Sequence, residues 1–199
     1  MSSRGKKLEE AAGVKERLLD TADRLFYAEG IRAVGIDRVL AEAEAAKASL
    51  YQHFGSKDGL VAASVQRRAE RGRVQVANFV ESVPVEERAL RIFDWIVAWV
   101  ESPDFRGCPL QHVVGEIPDR NHPARKIAQE QREWFRKQFV DCLKVAGVGS
   151  PTRMAGALMV LYDGALAASE QDGPQRARDA RWIAKQLLDS KRIDASILG

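Results

Sequence analysis

The 199-residue sequence contains only two cysteines, Cys108 and Cys142, and three histidines. Two cysteines make no disulfide framework, and free thiols fit a reducing compartment. No apolar run approaches the roughly 20 residues needed to span a bilayer. The opening MSSRGKKLEE lacks the apolar centre of a signal peptide. The expectation is a cytoplasmic protein with no membrane partner. There is no CxxC pair, nucleophile elbow, phosphate loop or dinucleotide fingerprint, which removes the enzyme classes built on them. Neither a metal site nor a cofactor is expected. Segments of alternating β-branched residues are missing as well, as are internal repeats and low-complexity tracts.

What remains is helical. Hydrophobic residues make up 45% and charged residues 30% of the chain, as in ordinary soluble domains. The net charge of +3 is unevenly spread: residues 1–78 hold 14 Lys+Arg against 11 Asp+Glu, whereas residues 79–199 hold 17 of each. The surplus is concentrated in RGKK (4–7) and RRAERGR (67–73). Such a patch is either the footprint of nucleic-acid binding or a solvated helix face.

Apolar spacing predicts a first helix from Val14 to Glu29, stopped by Gly30. A short helix fits Ile36 to Ala43 and a third runs from about Lys47 to Phe54. Ser56 is placed as the N-cap of a fourth that reaches about Asn78. Pro84 opens the next, and ESPDFRGCP (101–109) reads as a loop. A short helix follows through His112 to about Glu116. Asn121 or His122 then caps a long helix with Pro123 near its start and Gly147 at its end. GSP (149–151) and DGP (172–174) open the last two, which run to about Ser169 and Leu188. The fold class is therefore all-α, with about nine helices.

The stretch KASLYQHFGSKDGL (47–60) is the most informative. Leu50 and Phe54 share one helix face, while hydrogen-bonding side chains occupy the others. Three short helices followed by a long one, with a tight turn between the second and third, outline a helix-turn-helix. The second helix of that pair lies in the major groove. LYQHFGSKDGL resembles the recognition-helix signature of the Tet repressor family, and LLDTADRLFYAEGIRAVGIDRVLAEAE matches the spacing of its first two helices. The resemblance is strong over about Val14 to Leu60 and architectural beyond. It implies a DNA-binding head over residues 1–60, with a basic N-terminal arm, and a helical ligand-binding and dimerisation domain over 61–199. It also implies that Tyr51, His53 and Lys57 contact phosphates, and that Lys47, Ala48, Ser49 and Gln52 face the groove. Glutamine suits adenine, lysine suits guanine or phosphate, and the Ala48 methyl suits thymine.

The sequence departs from the family pattern before that helix. Glu44, Ala45 and Ala46 stand where relatives read about Gly-Val-Ser. Glutamate in a left-handed turn costs on the order of 1 kcal/mol relative to glycine. The missing cap costs about another. Val34-Gly35 replaces a hydroxyl that often touches phosphate, and Glu42 and Glu44 add negative charge beside the DNA face.

Elsewhere each constellation has two readings. Cys108 and His112 are four apart, as a metal pair or as a core cysteine beside an unrelated histidine. His112 and Glu116 are also four apart, as an acid–base pair or a surface ion pair. Trp95, Trp99, Phe105, Trp134 and Phe135, with Gln131 and Gln138, form either a small-ligand pocket or a plain core with satisfied amides. The resemblance favours the pocket, with Trp95, Trp99, Phe105, His112, Gln131, Trp134 and Gln138 as its candidate residues. MAGALMVLYDGALAAS (154–169) and ARDARWIAKQLL (177–188) offer small and apolar stripes. The resemblance implies a four-helix homodimer interface through Leu158, Tyr162, Ala165, Ala184 and Leu187; burial within one subunit is the alternative. The overall expectation is a ligand-responsive transcriptional regulator, not an enzyme. It would be a homodimeric repressor of double-stranded operator DNA, released by a small-molecule effector. The alternative is a helical sensor or interaction protein whose head has lost specific DNA binding.

Overall fold

A computed structural model describes residues 3–190, with side chains from residue 13 onward. The basic N-terminal arm, with its RGKK, lies outside the described side chains. Among the described residues there is no strand; nine α-helices and one short 3-10 turn follow one another. They are α1 (Ser3–Glu29), α2 (Ile36–Glu42), α3 (Lys47–Phe54), α4 (Lys57–Val80), α5 (Arg88–Val100), α6 (Pro109–Glu116), α7 (Pro123–Val145), α8 (Pro151–Asp172) and α9 (Gln175–Asp189). Two starts differ from the apolar spacing. The first helix begins at Ser3 rather than at the expected Val14. Ahead of α5, a 3-10 turn (Val85–Glu87) closes on Pro84, whose carbonyl accepts the Glu87 N–H at 3.0 Å.

The chain forms two compact units. The first comprises residues up to Glu70 together with Pro109–Gln129; the second comprises Arg71–Cys108 and the chain from Glu130 on. The helix-turn-helix unit thus extends beyond the expected limit at residue 60 and includes α6 and the start of α7. Its core explains why. Leu18, Ala22 and Leu25 are fully buried on one face of α1, against Val39, Leu50, Leu60 and Val61. Val113, Ile117, Ala124 and Ala128 belong to the same cluster. Full burial of a leucine stabilises a fold by about 1.5–3 kcal/mol.

In the second unit α9 packs along α8 and α5. Small residues make the close approach possible: Ala155, Ala165, Ala177 and Ala184 are all buried. Phe93 and Phe139 meet with ring centroids 5.9 Å apart.

Candidate nucleic-acid interface

Helix α3 is held by few atoms. Leu50 is fully buried and Phe54 packs half-buried against the same core. Lys47, Ala48, Tyr51 and Gln52 are exposed, and Ser49 and His53 half-buried. Tyr51 keeps 46% of its surface open, so packing does not use up its ring. The α2–α3 turn has the geometry inferred from its residues. Glu44 is the one non-glycine at positive φ among the described residues, at 48°. Ala46 is extended at the N-cap of α3 and makes no side-chain cap bond.

The α3–α4 turn is capped. Ser56 Oγ accepts the Gly59 N–H at 3.0 Å. Gly59 was not evident as a constraint from the sequence: a Cβ there would lie 1.9 Å from the Phe54 carbonyl oxygen. Lys57, expected at a phosphate, donates from Nζ to the Ile31 carbonyl at 2.8 Å and lies over the Phe26 ring. One of its three ammonium donors is therefore directed inward.

The basic run on α4 has internal work as well. Arg67 pairs with Glu16 at 2.5 Å and with Asp20. Arg68 pairs with buried Asp23 at 2.6 Å, donates to the Asp23 carbonyl at 2.9 Å, and covers the Tyr27 ring at 4.0 Å. Arg73 donates to Gln131. Much of the apparent nucleic-acid footprint at 67–73 therefore ties helices together. Glu42 is similarly engaged: bonds from Arg24 first, then Arg38, hold its carboxyl below the ordinary range.

The second unit contains most of the expected ligand residues. Trp95 stacks on Trp99 at 5.1 Å, Trp99 meets Phe105 edge-on at 5.5 Å, and Phe135 lies 4.7 Å from Tyr162 and 5.0 Å from Trp134. Burial pushes the Tyr162 phenol well up from its usual pKa. Gln131 is buried, and its Oε1 accepts from Arg73 Nε at 2.5 Å, so the amide oxygen is satisfied within the chain. Gln138 is half-buried. His112 lies in the first unit, its ring stacked on Tyr27. The Glu116 carboxylate accepts a bond from the Arg32 backbone. A cavity of about 750 Å³ opens elsewhere in the second unit, lined by Val83, Leu90, Arg91, Val148, Arg181 and Leu188 among others.

The expected interface residues lie on α8 and α9. Leu158, Tyr162, Ala165 and Ala184 are buried in the single chain, where α8 and α9 pack on each other and on α5. Leu187 is half-buried. The apolar side chains that stand open on these helices are Val160, Trp182 and Ile183. Periodicity finds an apolar stripe, but it does not say which copy covers it.

Comparison with known proteins agrees with this geometry. Residues 18–64 match the family described as bacterial regulatory proteins, tetR family. A TetR-family transcriptional regulator from Streptomyces coelicolor superposes with a TM-score of 0.85 at 35% identity. That match covers 89% of this chain and 95% of the other. The HTH-type transcriptional regulator LmrA of Bacillus subtilis is 27% identical over 124 residues, 60% of this chain and 66% of its own length. An uncharacterized HTH-type transcriptional regulator of Mycobacterium tuberculosis is 33% identical over 76 residues, 38% of each chain. The alignments thus span just under two thirds of the first relative and little over a third of the second.

Proposed function

The chain belongs to the tetR family of bacterial regulatory proteins, and from that premise we propose that it is a ligand-responsive transcriptional regulator acting as a homodimeric repressor. The observation that carries the reading is α3 itself: one buried leucine anchors it, and a row of exposed hydrogen-bonding side chains surrounds the anchor. Lys47, Ala48, Ser49 and Gln52 read base edges, and Tyr51 and His53 fix the register on phosphates. Lys57 joins the phosphate contacts through its remaining donors. No described helix is long and apolar enough to cross a membrane. The site of action is the cytoplasm, where the DNA is, and no reaction is part of this reading.

The dimer forms through α8 and α9, with exposed Val160, Trp182 and Ile183 meeting a second copy. The effector binds against the aromatic residues Trp95, Trp99, Phe105 and Trp134, with Gln131 and Gln138 as its polar contacts. It favours a spacing of the two heads that no longer fits half-sites about 34–36 Å apart. Because Trp182 lies outside that cluster, a Trp182→Phe variant leaves three indoles that all report on it.

The test is selection from a pool of random duplexes, followed by a salt titration on the enriched and a scrambled sequence. Two half-sites one helical turn apart should emerge, with a specificity ratio that survives added salt. Tyr51→Ala should weaken all duplexes alike, since phosphates carry no sequence information. Equal affinity for enriched and scrambled DNA would favour the sensor reading, in which the head no longer selects a sequence.

A further inference from the structure

The turn that precedes α2 is held by two side chains. Lys57 Nζ donates to the Ile31 carbonyl oxygen at 2.8 Å, and the Arg32 N–H donates to Glu116 Oε2 at 2.9 Å. That oxygen and that N–H are the two ends of one peptide group. In a trans peptide they point in opposite directions, so an ammonium from α4 and a carboxylate from α6 hold the same plane from opposite sides. Bonds to charged partners are the strong kind.

The surroundings leave room for this clamp. Gly30 adopts φ 96°, and a Cβ there would come within 3.2 Å of the Glu116 carboxylate. Helix α6 is seated in the same core through Val113, with Ile117 just beyond its end. Helix α2 starts from Gly35, which makes no side-chain cap bond, while Arg38 in its first turn donates to Glu29 of α1 at 2.8 Å and Val34 is buried just ahead of it. The hold on the 31–32 peptide adds to these ties on the segment that leads into α2, against which α3 is oriented.

We propose that Glu116 is a positioning residue for DNA binding: with Lys57 it clamps the Ile31–Arg32 peptide and so fixes α2 for the α2–α3 pair to dock. This rests on the DNA-binding reading above. Glu116 tests it more cleanly than Lys57, which also has a phosphate role there. The sign of the effect separates clamp from charge. Removing an acidic group near phosphates should raise affinity if charge alone matters; loosening the clamp should lower it.

The experiment measures binding to a duplex that wild-type protein has enriched from a random pool, at a temperature where circular dichroism shows each variant folded. Glu116→Ala should bind about tenfold more weakly. Glu116→Gln, which keeps an acceptor oxygen, should stay within about twofold of wild type. Hydrogen exchange at the Arg32 amide should be slow in wild type and Glu116→Gln, and fast in Glu116→Ala. Should the alanine variant not fold, the wild-type and glutamine proteins still carry the test. Fast exchange of the Arg32 amide in wild type overturns the clamp. So does an alanine variant that binds as tightly as wild type or tighter, with the DNA reading intact. A wild-type protein that enriches no sequence overturns both.

Discussion

Helices α2 and α7 end on the same pair of backbone bonds but with different residues at the critical position. In α2 the Glu44 N–H reaches the Ala41 carbonyl at 3.3 Å and the Ala45 N–H reaches Leu40 at 3.0 Å. In α7 the Gly147 N–H reaches Lys144 at 3.1 Å and the Val148 N–H reaches Leu143 at 3.0 Å. Both are Schellman caps, closed at φ 48° by Glu44 and at 71° by Gly147. Glutamate at such a φ costs about 1 kcal/mol more than glycine. Charge widens the gap. Lys144 in the last turn of α7 suits the negative end of the helix dipole, whereas Glu42 in the last turn of α2 opposes it. The chain builds a good version of this cap in one place and a weaker version at the turn between the two helices proposed to meet DNA.

The largest test of the comparison separates space from conformation. At Gly59 an added Cβ would lie 1.9 Å from the Phe54 carbonyl oxygen, so the backbone itself must shift. Gly59→Ala should cost about 3 kcal/mol or more. Gly147 has nothing within 4 Å of its would-be Cβ, and only φ opposes a side chain there. Gly147→Ala should therefore cost about 1–2 kcal/mol. Denaturant titration reads both losses. Equal losses would mean that the tight approach at Gly59 relaxes freely, and that φ alone sets both turns.

Local turn chemistry of this kind was partly legible in the sequence. The helix elements follow from 3–4 spacing and from Gly30, Ser56 and Gly147 as punctuation. The left-handed Glu44 follows from the family resemblance, since Glu44 stands where relatives carry the glycine of the turn. Legibility fails where a partner is distant. The charges of Arg67 and Arg68 are plain in RRAERGR, yet their partners Glu16, Asp20 and Asp23 sit more than 40 residues away. The same holds for α6. Nothing local says that Val113 and Ile117 complete the core of a unit begun 100 residues earlier, so a boundary drawn at residue 60 leaves them out. Gly59 is a different case: its constraint is close in sequence, but it depends on where one carbonyl points.

A smaller effect, of opposite sign, comes from repairing the weaker cap. Glu44→Gly removes the φ penalty, and Ala46→Ser supplies the hydroxyl that the α3 N-cap lacks. Together they should stabilise the protein by about 1–2 kcal/mol. Affinity for DNA should also rise, most at low salt, since a negative charge leaves the neighbourhood of the phosphates. Unchanged melting would show that the turn absorbs φ 48° without strain, and the contrast with Gly147 would disappear.

The smallest effect concerns the carboxylate on the same turn. Glu42 lies where the dipole of α2 disfavours it, yet bonds from Arg24 at 2.5 Å and Arg38 at 2.9 Å hold its carboxyl below the ordinary 4.5. A carboxyl whose folded-state pKa is depressed contributes stability that is fully present above the unfolded value and lost as pH falls through the folded one. Wild type should therefore melt above Glu42→Gln by a constant, small margin at neutral pH. The margin should shrink once the pH drops below about 4.5 and vanish below the folded pKa. The network is solvent-exposed, so salt should shrink the margin as well. Melting curves of the two proteins across pH, at low and high salt, decide the matter. If the variant melts above wild type at neutral pH, the dipole outweighs the two arginines, and α2 ends with two uncompensated acids where α7 ends with none.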